Sequence, residues 1–122
     1  FGALQGQMRT LMASEYGRWL RPAKGSRTID LYQLTKEPGN VILFSLNADS
    51  EKDFSRYMGS LILADLNAVS ARRRNAGDRN QVNVYIDEFQ AVPPTAVISL
   101  LEKSRESKIR MLFLLFPNHF IC

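Results

Sequence analysis

Residues 82–90 read VNVYIDEFQ, a short run of β-branched and aromatic residues that ends in two adjacent carboxylates, Asp87 and Glu88. The composition of VNVYI at 82–86 is typical of a β-strand. A second strand-like run, IRMLFLLF, follows at 109–116. Between the two, TAVISLLEKSRES has the apolar spacing of a helix. A strand, a helix and a strand in this order predict two parallel strands joined by a helical crossover.

The preceding residues extend the same alternation. VILFSL at 41–46 is a continuous apolar run, as expected of a strand that is covered on both faces. Residues 54–75 then keep helical spacing, and Gly77 provides the stop. The predicted fold class is therefore α/β, with a parallel β-sheet flanked by helices.

The first forty residues give weaker patterns. Residues 1–21 are predicted to form an amphipathic helix, in which Met12 and Trp19 are interpreted as core anchors rather than as a stacking platform. Pro22 ends that helix, and residues 22–40 are predicted to be a linker with a short edge strand at 28–34, TIDLYQL.

Composition narrows the possible functions. The chain has 122 residues, enough for one domain, and its net charge of +4 permits a nucleic-acid partner without requiring one. A single cysteine, Cys122, excludes an intramolecular disulfide, and the single histidine, His119, disfavours a Cys/His metal site. No apolar run reaches the roughly 20 residues that span a bilayer. The start at Phe1 instead of Met suggests a soluble fragment of a longer protein.

One basic cluster stands out at the end of the helix predicted over 54–75. Arg72, Arg73, Arg74 and Arg79 could contact DNA phosphates through salt-sensitive interactions. The alternative, which we favour, is a helix terminus that faces solvent, where cations complement the helix dipole.

The paired acids have a chemical interpretation. In a parallel sheet the carboxyl ends of the strands share one edge, where α/β proteins bind ligands. An acid directly after the strand, here Asp87, can hold Mg²⁺ through water. The next acid, Glu88, can orient a water for attack on a γ-phosphate. The alternative is a solvated strand end without chemistry.

The surrounding residues carry a family resemblance. VYIDEFQAVPP followed by LLEKSRESKIRMLF resembles the Walker B region of TraG/TraD-type coupling proteins of conjugation and type IV secretion, which are FtsK/HerA-like RecA-fold ATPases. The stretch from GNVILFSL to ARRR is similar to the strand and helix that precede Walker B in that family. The resemblance covers about residues 28–113. It implies a partial RecA-like P-loop NTPase fold, with the Walker B half at 41–116 and an uncertain tail at 117–122.

The resemblance also implies roles for three residues. Asp87 corresponds to the Walker B acid on the Mg²⁺ side and Glu88 to the catalytic glutamate. Arg105 corresponds to an arginine that acts in trans on the nucleotide of a neighbouring subunit, which suits the planar guanidinium. An ordinary cation near a helix C-terminus is the alternative for Arg105. The implied cofactors of the parent protein are Mg²⁺ and ATP, neither held tightly by this chain alone.

Two departures from the family pattern bear on activity. The sequence contains no G-x-x-x-x-G-K-[ST], so the phosphate-binding loop and its strand are expected upstream of Phe1. This chain alone is therefore expected to be inactive as an ATPase. Phe116 and Pro117 stand where the family usually ends a strand in a polar pair, which puts the family origin of residues 114–122 in doubt.

The resemblance implies a parent protein that forms a hexameric ring and moves DNA. Its partners would be DNA with its bound relaxase and the components of a secretion channel. It would lie on the cytoplasmic side of the bacterial inner membrane, anchored by segments absent here. The alternatives are a soluble FtsK/HerA-type DNA translocase and a non-catalytic RecA-like interaction module.

Overall fold

A computed structural model describes residues 2–21, 23–47, 49, 52–87 and 92–114, apart from the side chains of Leu4 and Tyr16. Its helices and strands, in chain order, are α1 (Gly2–Ala13), a 3-10 helix (Glu15–Leu20), α2 (Leu31–Lys36), α3 (Lys52–Ala76), β1 (Val82–Asp87), α4 (Pro94–Ser107) and β2 (Ile109–Leu114).

The two strands form a parallel pair, as predicted. Val82 is aligned with Ile109 and Asp87 with Leu114, and α4 makes the connection between the strands. Residues 115 and 116, the end of the predicted second strand, lie outside the described residues. The chain is thus a mixed α/β protein with a small parallel sheet flanked by helices.

Exposure alternates along both strands, so the sheet has one covered face and one open face. The side chains that face inward pack against the core formed by the helices: Val84, Ile86, Met111 and Phe113. The intervening side chains of β1 and β2 face outward, and Tyr85 is 66% exposed. Both strands are therefore buried on one face only.

The core lies between α3, α4 and the covered face of the sheet. Leu63, Leu66 and Val69 of α3 meet Val97 and Leu100 of α4, and Leu100 is fully buried. At one point the two helices contact each other through small residues. There the Ser70 hydroxyl donates to the Ser107 hydroxyl at 2.8 Å. Such close contact keeps these two helices in a fixed register.

Helix α3 ends as its sequence predicts. Gly77 adopts a positive φ of 69°, which residues with a Cβ rarely adopt. Its N–H donates to the Arg74 carbonyl, and the Asp78 N–H donates to the Arg73 carbonyl. These two bonds form a Schellman motif, which satisfies carbonyls that the helix leaves open.

Arg73 joins three parts of the fold just beyond that motif. It is fully buried, and its guanidinium donates to the carbonyls of Ser107 at 3.0 Å, Thr35 at 3.0 Å and Asn80. These acceptors lie at the end of α4, near the end of α2 and just before β1. Carbonyls at helix C-termini carry partial negative charge, so they suit a buried cation.

The edge strand predicted at 28–34 is wrong. Residues 31–36 form α2 instead, and the Asp30 carboxylate caps this helix by accepting from the Gln33 N–H at 3.1 Å. Leu31 and Tyr32 are buried against the core. The capping bond favours the helix, because it satisfies a donor that the first turn leaves open.

The strand predicted at 41–46 is also wrong. Residues 41–47 form neither helix nor strand in the structure. Val41 is 93% exposed and Leu43 is 86% exposed, although both side chains are apolar and valine favours strands. An apolar run becomes a strand only when a neighbouring strand accepts its backbone hydrogen bonds, and the structure assigns no such pairing here.

The single helix predicted over 1–21 is divided in two. Helix α1 ends at Ala13, and the 3-10 helix follows. Gly17 lies where the chain folds back on α1, because a Cβ there would come within 2.4 Å of the Met12 carbonyl oxygen. Trp19 is 59% exposed and meets Phe54 edge-on, with ring centroids 6.3 Å apart. Its interpretation as a core anchor is therefore wrong.

Candidate functional site

Asp87 lies at the position where the sequence places the chemistry. It is the last residue of β1, at the carboxyl edge of the parallel pair, and its side chain is exposed. By the alternation along β1 it belongs to the open face of the sheet, with Asn83 and Tyr85. Glu88, the predicted catalytic glutamate, lies outside the described residues.

The surroundings of Asp87 limit how a metal could bind. Among the described residues, no three side chains of His, Cys, Asp or Glu are grouped so that they could hold a metal ion. A cage built from protein ligands is therefore not present in that part of the chain. Mg²⁺, however, keeps most of its water and takes only one or two carboxylates. An exposed carboxylate at a strand end fits that mode of binding.

Helix α4 begins at the same edge of the sheet. Its N-cap is Pro93, which makes no side-chain capping bond, and Pro94 is the first helical residue. Val92, just before the helix, lies beside Gly59 of α3, where an added Cβ would meet its methyl groups at 3.8 Å. The carboxyl edge is thus formed by the end of β1 and the start of α4.

Arg105 lies at the opposite edge of the sheet from Asp87. It is exposed in the last turn of α4, eleven residues after Pro94, which corresponds to about 16 Å along a helix. Because α4 returns the chain to the start of β2, its last turn lies at the amino edge of the sheet. Arg105 therefore cannot reach a ligand at the Asp87 of its own chain.

The arginine cluster at the end of α3 is largely engaged within the fold. The Arg72 guanidinium stacks on the Tyr32 ring at 3.9 Å, and Arg74 forms an ion pair with Glu106 at 3.7 Å. Arg73 is buried, as described above. Of these residues, Arg79 alone is exposed without such a contact among the described residues. A DNA contact by the whole cluster is thus excluded, and the solvent-facing interpretation fails for Arg73.

Sequence reasoning missed the role of Arg73, although a signal was present. Leu66, Val69, Ser70 and Arg73 follow one another at spacings of three, one and three residues. These spacings place all four on one face of α3, the face that packs against α4. An arginine on the buried stripe of a helix indicates an internal clamp rather than a surface contact.

Comparison of the chain with protein-family models, with curated proteins and with solved structures finds no match. Among the described residues, no helix combines the length and the apolar character needed to cross a membrane.

Proposed function

We propose that this chain is the Walker B half of a RecA-like ATPase of the TraG/TraD coupling type. The parent protein would form a hexameric ring on the cytoplasmic side of the bacterial inner membrane and move relaxase-bound DNA toward a secretion channel. The observation that supports this proposal is the exposed Asp87 at the carboxyl edge of a parallel strand pair. That edge is where α/β proteins bind nucleotides.

In this proposal Asp87 and Glu88 have different catalytic roles. Asp87 would contact Mg²⁺ through bound water, and Glu88 would orient and polarise the attacking water. Bound Mg²⁺ supplies positive charge that stabilises the transferring phosphoryl group. The phosphate-binding loop would have to come from sequence outside these 122 residues.

The position of Arg105 supports a role between subunits rather than within one. Because it lies at the amino edge of its own sheet, it could meet a nucleotide only at the carboxyl edge of a neighbour. A ring of subunits would supply that neighbour. In-trans arginines of this kind stabilise charge on the transferring phosphoryl group.

A second candidate is a non-catalytic interaction module with a RecA-like fold. The open face of the sheet favours it, since Tyr85, Leu112 and Leu114 expose apolar surface there. Parallel sheets usually have both faces covered. In this reading the acids at 87 and 88 are a solvated strand end and can be replaced freely.

The two candidates are separated by Glu88→Gln in the parent protein that the ATPase proposal implies. The substitution keeps the side-chain shape and removes its charge, so the ATPase proposal expects nucleotide binding to persist. Hydrolysis should fall by about two orders of magnitude or more, because the water loses its general base. Steady-state phosphate release measures this effect, and nucleotide affinity is measured alongside.

The matched control is Glu102→Gln, which makes the same chemical change at an exposed position of α4. It should leave hydrolysis unchanged. Near-normal turnover in the Glu88→Gln protein would refute the assignment of Glu88. For the isolated 122-residue chain, the proposal expects no Mg²⁺-dependent hydrolysis above background.

A further inference from the structure

A small cleft lies between the start of α2 and the second half of α3. Its volume is about 110 Å³. Pockets for drug-sized ligands are larger, about 300–1,000 Å³. The cleft therefore suits a molecule of only a few heavy atoms. Its lining residues are Asp30, Tyr32, Asp65, Ala68, Val69 and Arg72.

Two carboxylates in the lining have oxygens that are free to accept hydrogen bonds. Asp65 is exposed and forms neither a hydrogen bond nor an ion pair with any residue that the structure describes. Asp30 accepts from the Gln33 N–H through Oδ1, and this bond leaves Oδ2 available. An ammonium group, which has three N–H donors, could bind both carboxylates at once.

The lining also contains a cation with unused donors. The Arg72 guanidinium stacks on the Tyr32 ring at 3.9 Å, which occupies its face and leaves its N–H groups at the edge. Within the described part of the chain, Arg72 donates no hydrogen bond. The Lys36 ammonium lies over the same ring at 4.9 Å and adds positive charge nearby. A guanidinium edge matches the geometry of a carboxylate.

The opposite charges lie at opposite ends of the cleft. Asp65 and Arg72 are seven residues apart on α3, which places them on one face of the helix and about 10 Å apart along its axis. Among the described residues, no ion pair joins them. Ala68 and Val69 lie between them in the sequence and give the cleft an apolar floor.

The direction of α2 places the second carboxylate at the negative end. Tyr32 lies against Arg72, whereas the Lys36 carbonyl accepts from Asn80, beyond the end of α3. Helix α2 therefore runs in the same direction as α3. Asp30 precedes Tyr32, so it lies on the side of the cleft from which α3 comes, away from the cations.

Tyr32 provides an independent indication of a ligand. The residue is only 6% exposed, yet its hydroxyl makes no hydrogen bond to any described residue. Buried hydroxyl groups in proteins nearly always have a hydrogen-bond partner. Because Tyr32 lines the cleft, a molecule bound there can supply that partner.

We propose that this cleft binds a small zwitterionic amino acid. The ammonium group donates to Asp30 and Asp65, and the carboxylate accepts from Arg72. The short apolar stem lies on Ala68 and Val69. A simple cation would leave the Arg72 donors unused, and a simple anion would leave the two acids unused. The lining includes none of the residues of the proposed ATPase site, so the inference does not depend on that function.

The test titrates the intact chain with amino acids and follows its amide ¹⁵N–¹H chemical shifts. Glycine, β-alanine and γ-aminobutyrate carry the same two charges with one, two and three carbons between them. A ligand of this size should bind with a Kd of roughly 1–10 mM and shift the amides of Ala68 and Val69. Salt is kept near 20 mM, because higher concentrations screen exposed charges. The member that binds most tightly reports the distance between the two ends of the cleft.

Two half-ligands separate zwitterion binding from simple charge attraction. n-Butylamine carries only the cation of γ-aminobutyrate, and butyrate carries only the anion. Each should bind about fivefold or more weakly than the best of the three amino acids, because each satisfies only one end of the cleft.

Substitutions at the two ends should have opposite selectivity. Asp65→Asn and Arg72→Gln should each weaken binding of the amino acid about five- to tenfold. Asp65→Asn should not weaken butyrate binding, and Arg72→Gln should not weaken n-butylamine binding, since each variant removes a group that contacts the other charge. The matched controls make the same chemical changes at exposed positions outside the cleft, Asp53→Asn and Arg79→Gln, and should retain full affinity.

Tyr32→Phe removes only the hydroxyl and should weaken binding about threefold. Circular dichroism checks that each variant keeps its helices. The proposal is overturned if none of the three amino acids gives saturable shifts at Ala68 and Val69. Equal affinity for a half-ligand, or an equal loss in the control variants, would overturn it as well.

Discussion

Two segments of this chain both have the composition of a strand, but their structures differ. VNVYID at 82–87 forms β1, whereas VILFSL at 41–46 forms no regular structure and exposes Val41 and Leu43. The second segment is the more apolar of the two. Strand propensity therefore does not explain the difference.

The surroundings of the two segments explain it. β1 begins two residues after Asn80, whose carbonyl accepts a hydrogen bond from Arg73. The strand is aligned along its length with β2, and its Val84 and Ile86 pack against the helices. The structure gives residues 41–46 no comparable pairing. In this protein a segment forms a strand where its first residues are anchored, a neighbouring strand pairs with its backbone, and helices cover one of its faces.

Amide hydrogen exchange compares β1 with residues 41–46 directly, and the difference in their exchange rates should be the largest effect predicted here. The Val82 N–H donates to the Lys108 carbonyl at 3.0 Å. Because N–H groups alternate between the two edges of a strand, those of Val84 and Ile86 should also point toward β2. These amides should exchange roughly a thousandfold or more slowly than an unprotected chain, and residues 41–46 should exchange close to the unprotected rate.

The same measurement can contradict the comparison. Slow exchange at Asn83 and Tyr85, together with slow exchange within 41–46, would mean that this segment pairs with the other edge of β1. The difference between the two segments would then vanish. Fast exchange at Val84 would show that β1 itself is not a stable strand.

The second prediction concerns the hydrogen bonds of Arg73, one of which anchors the chain just before β1. Arg73→Met keeps a long apolar side chain but leaves the carbonyls of Ser107, Thr35 and Asn80 without their donor. Leaving these buried carbonyls without the charged donor should lower the free energy of unfolding by about 3–5 kcal/mol. Urea unfolding measures it. Arg79→Met makes the same change at an exposed position, and an equal loss there would refute the role of Arg73.

The third prediction compares one leucine under the sheet with one in the unpaired segment. Leu100→Ala removes a fully buried side chain from the core and should cost about 2–5 kcal/mol. Leu43→Ala changes a side chain that is 86% exposed and should stay within about 0.5 kcal/mol of the original protein. A large effect of Leu43→Ala would show that residues 41–46 are packed in solution.

The elements with strong local signals could be predicted from the sequence. Helices α3 and α4 have sustained apolar periodicity, and Gly77 ends α3 as expected. The parallel arrangement of β1 and β2 followed from their order with α4. The sequence also predicted the position of Asp87 at the carboxyl edge correctly, because the change from strand-forming residues to acidic residues marks the end of the strand.

The remainder depended on contacts that the sequence does not display. Residues 41–46 have the composition of a strand, and only tertiary pairing could decide whether one forms. The composition of TIDLYQL is compatible with both a strand and a helix. The spacing of Asp30 and Gln33, however, is a helix-capping pattern that could have revealed α2. Trp19 was assigned to the core by its size, but the chain reversal at Gly17 takes it out of the helix whose periodicity suggested burial.

The three consecutive arginines at the end of α3 would respond very differently to substitution. Arg72 is exposed and lies against the ring of Tyr32, and Arg74 pairs with the exposed carboxylate of Glu106, so each tolerates partial replacement. Arg73 must present a planar fork to several carbonyls at once, and even lysine cannot reproduce that geometry. In a saturation mutagenesis profile, one intolerant position should therefore appear between two permissive ones, within a run that looks uniform.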